Sequence, residues 1–221
     1  MKLLLKTLIA FLCGLLLTGT MLFIPAGTLA YRGAWLFIAL LFTPILIMGV
    51  VLFIMNPELL RERLEMKERE KEQKSVVAIS GLLLVASFIV AGLDYRFGWS
   101  HISNSVVLIA SVVLLVGYGL YAEVLRENIY LSRVVEVQEG QCVIDTGLYG
   151  IVRHPMYFAV TLLYLSIPLV LGSWWALLVM SSCVFLLVLR IKNEEQVLCQ
   201  GLPGYTDYTK RVRYRMIPWV W

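Results

Sequence analysis

Hydrophobic positions in this chain come in long unbroken runs rather than in the three-to-four-residue spacing of a soluble amphipathic helix. Runs over 3–24, 34–55, 76–93 and 105–122 each approach the ~20 residues that a helix needs to cross a bilayer. The first follows only Met1-Lys2, and its core is too long for a removable leader, so it predicts a spanning helix. Pro44 falls inside the second and predicts a kink that neighbouring helices can accommodate. A further apolar stretch, 158–190, is too long for one span and is broken by Gly172-Ser173. It predicts a tight helical hairpin, its first helix beginning near Tyr157 and its second ending near Asn193.

Polar segments separate these runs. Asn56-Pro57-Glu58 has the order of a helix start, with Asn as cap and Pro at the first helical position. Residues 59–75 mix Lys, Arg and Glu, with Glu65/Arg69 and Glu70/Lys74 spaced to support a charged helix at the membrane surface. Asp94 to His101 reads as a short aromatic loop, Glu123 to Arg133 as a polar extension of the fourth span, and 134–146 as a hairpin-like connection. The segment 191–221 is polar and aromatic and is not a span.

Composition agrees with the pattern. Hydrophobic residues make up 60% and charged residues 15%, with a mean hydropathy of +0.81. A soluble domain carries about 25% charged residues, so these values exclude a soluble globular fold. The expected fold is all-α: a polytopic membrane protein of about six spans, one membrane domain in which 1–75 holds two spans and a charged connector and 76–221 a core. The net charge of +4 does not indicate nucleic acid, because the cations are distributed as a topology signal. With the N-terminus in the cytoplasm, all but Arg32 and Arg96 of the 19 Lys and Arg fall inside. Both ends of the chain are then expected in the cytoplasm. Four cysteines, Cys13, Cys142, Cys183 and Cys199, lack metal-ligand spacing and read as free thiols, with no metal site.

On that topology three polar clusters share one face: Arg126–Arg133, Gly147–Tyr157 and Lys192–Tyr208. The second is the densest. Pro155 ends or kinks a helix and restricts His154, while Gly147 and Gly150 permit turns. A guanidinium, an imidazole and a phenol are thus presented at the mouth of a membrane segment. By themselves these residues fit either a basic loop or a site. Glu194-Glu195, at the end of an apolar helix, need water, a cation or a ligand, and Arg190 and Lys192 are near enough in sequence to pair with them.

The combination Gly147-Leu-Tyr-Gly-Ile-Val-Arg-His-Pro-Met-Tyr157, a following hairpin, Glu194-Glu195, Gly204-Tyr205-x-x-Tyr208 and Arg215-x-x-Pro218 resembles the isoprenylcysteine carboxyl methyltransferase family of membrane enzymes. Asn128 to Ser132 adds to the likeness, which covers roughly 120–221; Leu148 departs from it where the family has proline. The resemblance implies an S-adenosylmethionine-dependent methyltransferase; among membranes, a bacterial inner membrane is the one expected. Its acceptor would be a lipid-like or prenylated small molecule entering from the membrane lipids. It implies catalytic roles for Arg153 and Glu194, and cofactor contacts from Tyr149, His154, Pro155, Tyr157, Glu195, Tyr205 and Tyr208. Membrane sterol reductases, which use a nicotinamide cofactor, share part of the signature. A transporter component is the non-enzymatic alternative, disfavoured by spans nearly free of ionisable residues.

Overall fold

The computed structural model describes residues 2–55, 57, 71–128, 130, 137 and 140–221. Among these the chain is all-helical, with seven α-helices and no strand: α1 Lys2–Ala26, α2 Arg32–Met55, α3 Lys71–Phe97, α4 Asn104–Glu127, α5 Pro155–Leu171, α6 Trp174–Gly201 and α7 Tyr205–Arg211. A 3-10 turn, Gly147–Gly150, precedes α5. Of the charged connector 59–75, residues 59–70 lie outside the described residues, as do Asn56 and Glu58 of the expected helix start and 134–136, 138 and 139 of the expected hairpin-like connection 134–146; its described residues 137 and 140–146 form no strand.

Helices α1, α2, α3, α4 and α6 contain stretches long and apolar enough to cross a membrane. They are apolar around most of their circumference, as expected where lipid replaces water. Helix α5 is apolar but has only 17 residues, the short end of the spanning range, where the sequence leads one to expect a sixth full-length span. Two local causes set its length. Pro155 occupies its first position, where the missing N–H costs nothing. At the other end Gly172, at φ +81°, turns the chain into the left-handed region. Ser173 then begins α6, its Oγ accepting from Ala176 N–H at 3.0 Å. The expected Gly172-Ser173 hairpin is therefore present.

The described residues form two compact units, one drawn from Met1–Lys67, Leu84–Ser111 and Ile167–Val179, the other from Glu68–Leu83, Val112–Ser166 and Met180–Trp221. In the first, the α3 backbone at Gly92 leaves room only for hydrogen, because a Cβ there would meet Leu22 O and Pro25. Asp94 is buried and is held by Ser100 N at 2.7 Å, Ser100 Oγ at 2.6 Å and the Ser173 hydroxyl. This revises the expected loop at 94–101: α3 continues through Phe97 and stops at Gly98, at φ +66°. A carboxylate fully bonded within the protein carries no cost that would end the apolar helix earlier. His101 does lie in the exposed connection that follows.

The second unit holds the polar clusters. Tyr157, Leu187, Ile191 and Met216 form one buried cluster, and Leu202, Tyr205, Tyr208 and Val212 another. Helix α6 runs beyond the expected end near Asn193 to Gly201, because Leu198 packs against the second cluster and continues to reward helix. Glu194 and Glu195 are therefore interior helix residues.

Candidate functional site

The Arg153-His154 segment is fixed by main-chain pairing. Arg153 N–H donates to Tyr214 O at 2.9 Å and His154 N–H to Arg215 O at 2.7 Å, a ladder of two bonds that draws 212–216 alongside it. Because a residue preceding proline favours extended geometry, His154 suits this pairing. Pro155 then starts α5 and delivers Tyr157 two residues further on, with its ring centroid 5.8 Å from that of His154.

Glu195 is the centre of a buried ionic knot. Its Oε1 accepts from Arg153 Nε at 2.7 Å and lies 3.3 Å from His154 Nε2; its Oε2 accepts from Arg215 Nε at 2.6 Å. Arg153, itself buried, spends Nη1 on Val212 O and Arg213 O at 2.8 and 2.9 Å. One carboxylate thus joins α6, the segment before α5 and the strand-like run after α7. Cations and carbonyls in this number satisfy both charges, the condition under which a buried pair persists.

Glu194, its neighbour on α6, faces a cleft instead. Its Oε2 accepts from Tyr157 OH at 2.6 Å, while Arg190 Nε donates to the same phenol at 2.9 Å. The cleft wall includes Asn128, Tyr149, Arg153, His154, Tyr157, Arg190, Glu194, Tyr205 and Tyr208. Every expected site residue except Pro155 and Glu195 therefore lines it. Pro155 acts through backbone geometry, and Glu195 braces the wall from behind.

Two tyrosines tie the far wall together. Tyr208 OH donates to Tyr149 O at 2.7 Å, and Asn128 Nδ2 donates to Tyr149 OH at 2.8 Å. Burial pushes the Tyr149 phenol up to about 12, and it also raises those of Tyr205 and Tyr208. All three are neutral hydroxyls at neutral pH. Tyr205 OH is the one buried side-chain polar atom without a hydrogen-bond partner among the described residues. A buried unmade hydrogen bond costs about 1–3 kcal/mol, and Tyr205 stands in the cleft wall.

Glu127 was not among the expected site residues. At the end of α4 it accepts from Thr146 Oγ1 at 2.8 Å and from Leu148 N–H at 3.3 Å, holding the 3-10 turn that carries Tyr149. Gly147, at φ +48°, sits against that carboxylate where a Cβ would collide with it. The only sequence signal for the contact is the pair of glycines in the turn. Arg190 was noted solely as a partner for the glutamates, yet it bonds Tyr157 and lines the cleft. Among the described residues no His, Cys, Asp and Glu group can hold a metal ion.

Comparison with known proteins places residues 107–200 within the model of the Isoprenylcysteine carboxyl methyltransferase (ICMT) family. The matched segment runs from α4 through nearly all of α6 and includes Tyr149, Arg153, His154, Tyr157, Glu194 and Glu195. No curated protein matches the chain. The match covers less than half of the chain, and the helices of spanning length agree with an integral membrane protein.

Proposed function

Taking residues 107–200 as a domain of the isoprenylcysteine carboxyl methyltransferase family, we propose that this protein transfers a methyl group from S-adenosylmethionine to a lipophilic acceptor. The acceptor carries a carboxylate or thiol and is met at the cytoplasmic face of the membrane. The observation that carries the reading is the cleft inside the matched segment, where a carboxylate, a guanidinium and an unpartnered buried phenol converge.

The donor set fits S-adenosylmethionine. Glu194 and Tyr205 would hold it: the carboxylate offers an anionic partner for an amino group, and the phenol a donor for a heteroatom. Bound there, the cofactor supplies an activated methyl on a sulfonium. The protein's own part is positional. Arg190 stands in the wall with Arg153, and it would serve as the cation for an acceptor carboxylate. An ionised carboxylate needs no base, so the rate rests on alignment and exclusion of water. A thiol acceptor would need a proton acceptor, and His154 and Glu194 both reach the cleft. Tyr157 bonds Glu194 and Arg190 together, keeping the two ligand-facing charges at fixed spacing.

Calorimetry with S-adenosylhomocysteine on the detergent-purified protein tests the proposal, with a nicotinamide dinucleotide as control. Binding of the first alone is expected; binding of the second alone would replace methyl transfer by reduction.

A further inference from the structure

The run Tyr214–Trp221 has a structure that the cleft chemistry does not use. The N–H groups of Arg215, Met216 and Ile217 all donate to Trp221 O, at 2.9, 2.9 and 3.1 Å, and Trp221 N–H returns to Ile217 O. The Arg215 guanidinium lies 5.3 Å from the Trp221 ring centroid. This closed loop projects Trp219 and Val220 outward, 84% and 75% exposed. Trp219 is held at φ +62°, alone among the described non-glycine residues in the left-handed region. The loop's other side is anchored: Ile217 and Trp221 pack against Tyr157, Leu187 and Ile191, where the apolar stretch of α6 gives way to Arg190 and Lys192. The anchored side of the loop therefore lies level with the point where α6 passes from apolar to charged residues.

Charge points to the same surroundings. From Tyr205 to Trp221 the chain carries Lys210, Arg211, Arg213 and Arg215 against the single carboxylate Asp207. Lys210, Arg211 and Arg213 are exposed; Lys210 pairs with Asp207 and Arg211 with Asp145, both at 2.8 Å in solvent-facing pairs that lipid phosphate can compete for. A large amphipathic ring beside exposed cations is the combination favoured at an anionic lipid surface.

We propose that Trp219 and Val220 form a wedge seated in the headgroup layer of the bilayer, with the neighbouring cations binding anionic phospholipid, and that this contact steadies one wall of the cleft. The coupling is geometric. In the same run the Tyr214 and Arg215 carbonyls accept from the Arg153 and His154 N–H groups, and the Arg215 guanidinium donates to Glu195. Lipid that holds the loop therefore holds the ionic knot behind Glu194. The coupling rests on the S-adenosylmethionine reading; the lipid contact does not.

The test uses the whole protein in nanodiscs containing brominated phosphatidylcholine or brominated phosphatidylglycerol, with acrylamide as the aqueous quencher. The chain has 6 tryptophans, so the Trp219 signal is taken as the difference between wild type and Trp219→Phe. Each cation near an anionic surface is worth about five-fold in affinity, so the brominated anionic lipid should quench this signal at least about two-fold more than the zwitterionic one. Arg213→Gln should reduce that preference. Quenching by acrylamide alone would overturn the proposal. So would quenching by neither agent, which would mean a protein surface covers the wedge, and so would equal quenching by the two lipids. For the coupling, S-adenosylhomocysteine should bind several-fold more tightly in the anionic nanodiscs than in zwitterionic ones. Equal affinity would refute the coupling. Absence of binding in both would sink the cofactor reading and leave the quenching result standing.

Discussion

Adjacent glutamates on one helix face different worlds here, and their variants should separate accordingly. Glu195 neutralises buried Arg153 and also meets His154 and Arg215. Glu195→Gln leaves Arg153 uncompensated, and breaking a buried pair in this way costs about 3–5 kcal/mol. A large drop in melting temperature in detergent is expected. Glu194 is less buried and is bonded to Tyr157. Glu194→Gln should fold with a near-normal melting temperature but bind S-adenosylhomocysteine about ten- to a hundred-fold more weakly, the loss of one charge-assisted bond. Equal instability in both variants would contradict the division of roles. Tyr205→Phe gives a test of opposite sign. Removing a buried hydroxyl that has no partner relieves a desolvation cost, so the ligand-free protein should melt at the same or a higher temperature. Its cofactor affinity should nevertheless fall by about 0.5–1.5 kcal/mol, the worth of a neutral hydrogen bond. A variant that loses stability and keeps affinity would remove Tyr205 from the ligand's contacts.

Among the elements, the 3-10 turn Gly147–Gly150 is the one most dependent on a single backbone geometry. Gly147→Ala adds a Cβ at φ +48° and drives it into the Glu127 carboxylate. The strained conformation alone costs about 1–3 kcal/mol, and the displaced turn carries Tyr149 off the cleft wall. Reduced melting temperature with greatly reduced cofactor binding is expected. The turn also gives the protein an alkaline limit. Burial raises the Tyr149 phenol to about 12, against ~10 in the unfolded chain. Between these values the folded state retains a proton that the unfolded state has lost, so stability decreases with rising pH. The contribution is complete below ~10 and gone above about 12. Melting temperatures across pH 9–12 should show the decline, less steeply in Tyr149→Phe. The elements were legible in the sequence to the extent that local rules set them. Uniform apolar runs, Pro155 at a helix start and Gly172 in a hairpin turn need no distant partner to be read. The end of α3 was misread because Asp94 is satisfied by Ser100 and Ser173, the latter remote in sequence. Likewise the motif Arg153-His154-Pro155 announces a site, but only the fold shows that Glu195 lies behind the wall, Glu194 within it, and Glu127 under the turn. Those are long-range pairings, for which the local pattern carries no signal.

At the scale of the whole molecule, the composition decides the solvent and the charge distribution predicts the orientation of the chain. Nearly all cations fall on one side of the expected topology, with Arg32 and Arg96 on the other, so the positive-inside rule predicts α7 and the cleft in the cytoplasm and the α3–α4 connection outside. The 17-residue α5 does not weaken this assignment. A helix of that length falls at the short end of the spanning range and is accommodated by local thinning or by its hairpin partner. Impermeant maleimide labelling in intact cells tests the orientation. Ser173 is unsuitable as a reporter because it is buried and bonded to Asp94. His101 and Thr206 are both exposed. In a background lacking the four native cysteines, His101→Cys should react from outside, whereas Thr206→Cys should react only after the membrane is opened. The reverse pattern would put the cleft outside. A cleft there would have no access to a cytosolic nucleoside cofactor, and methyl transfer as proposed would fail with the orientation.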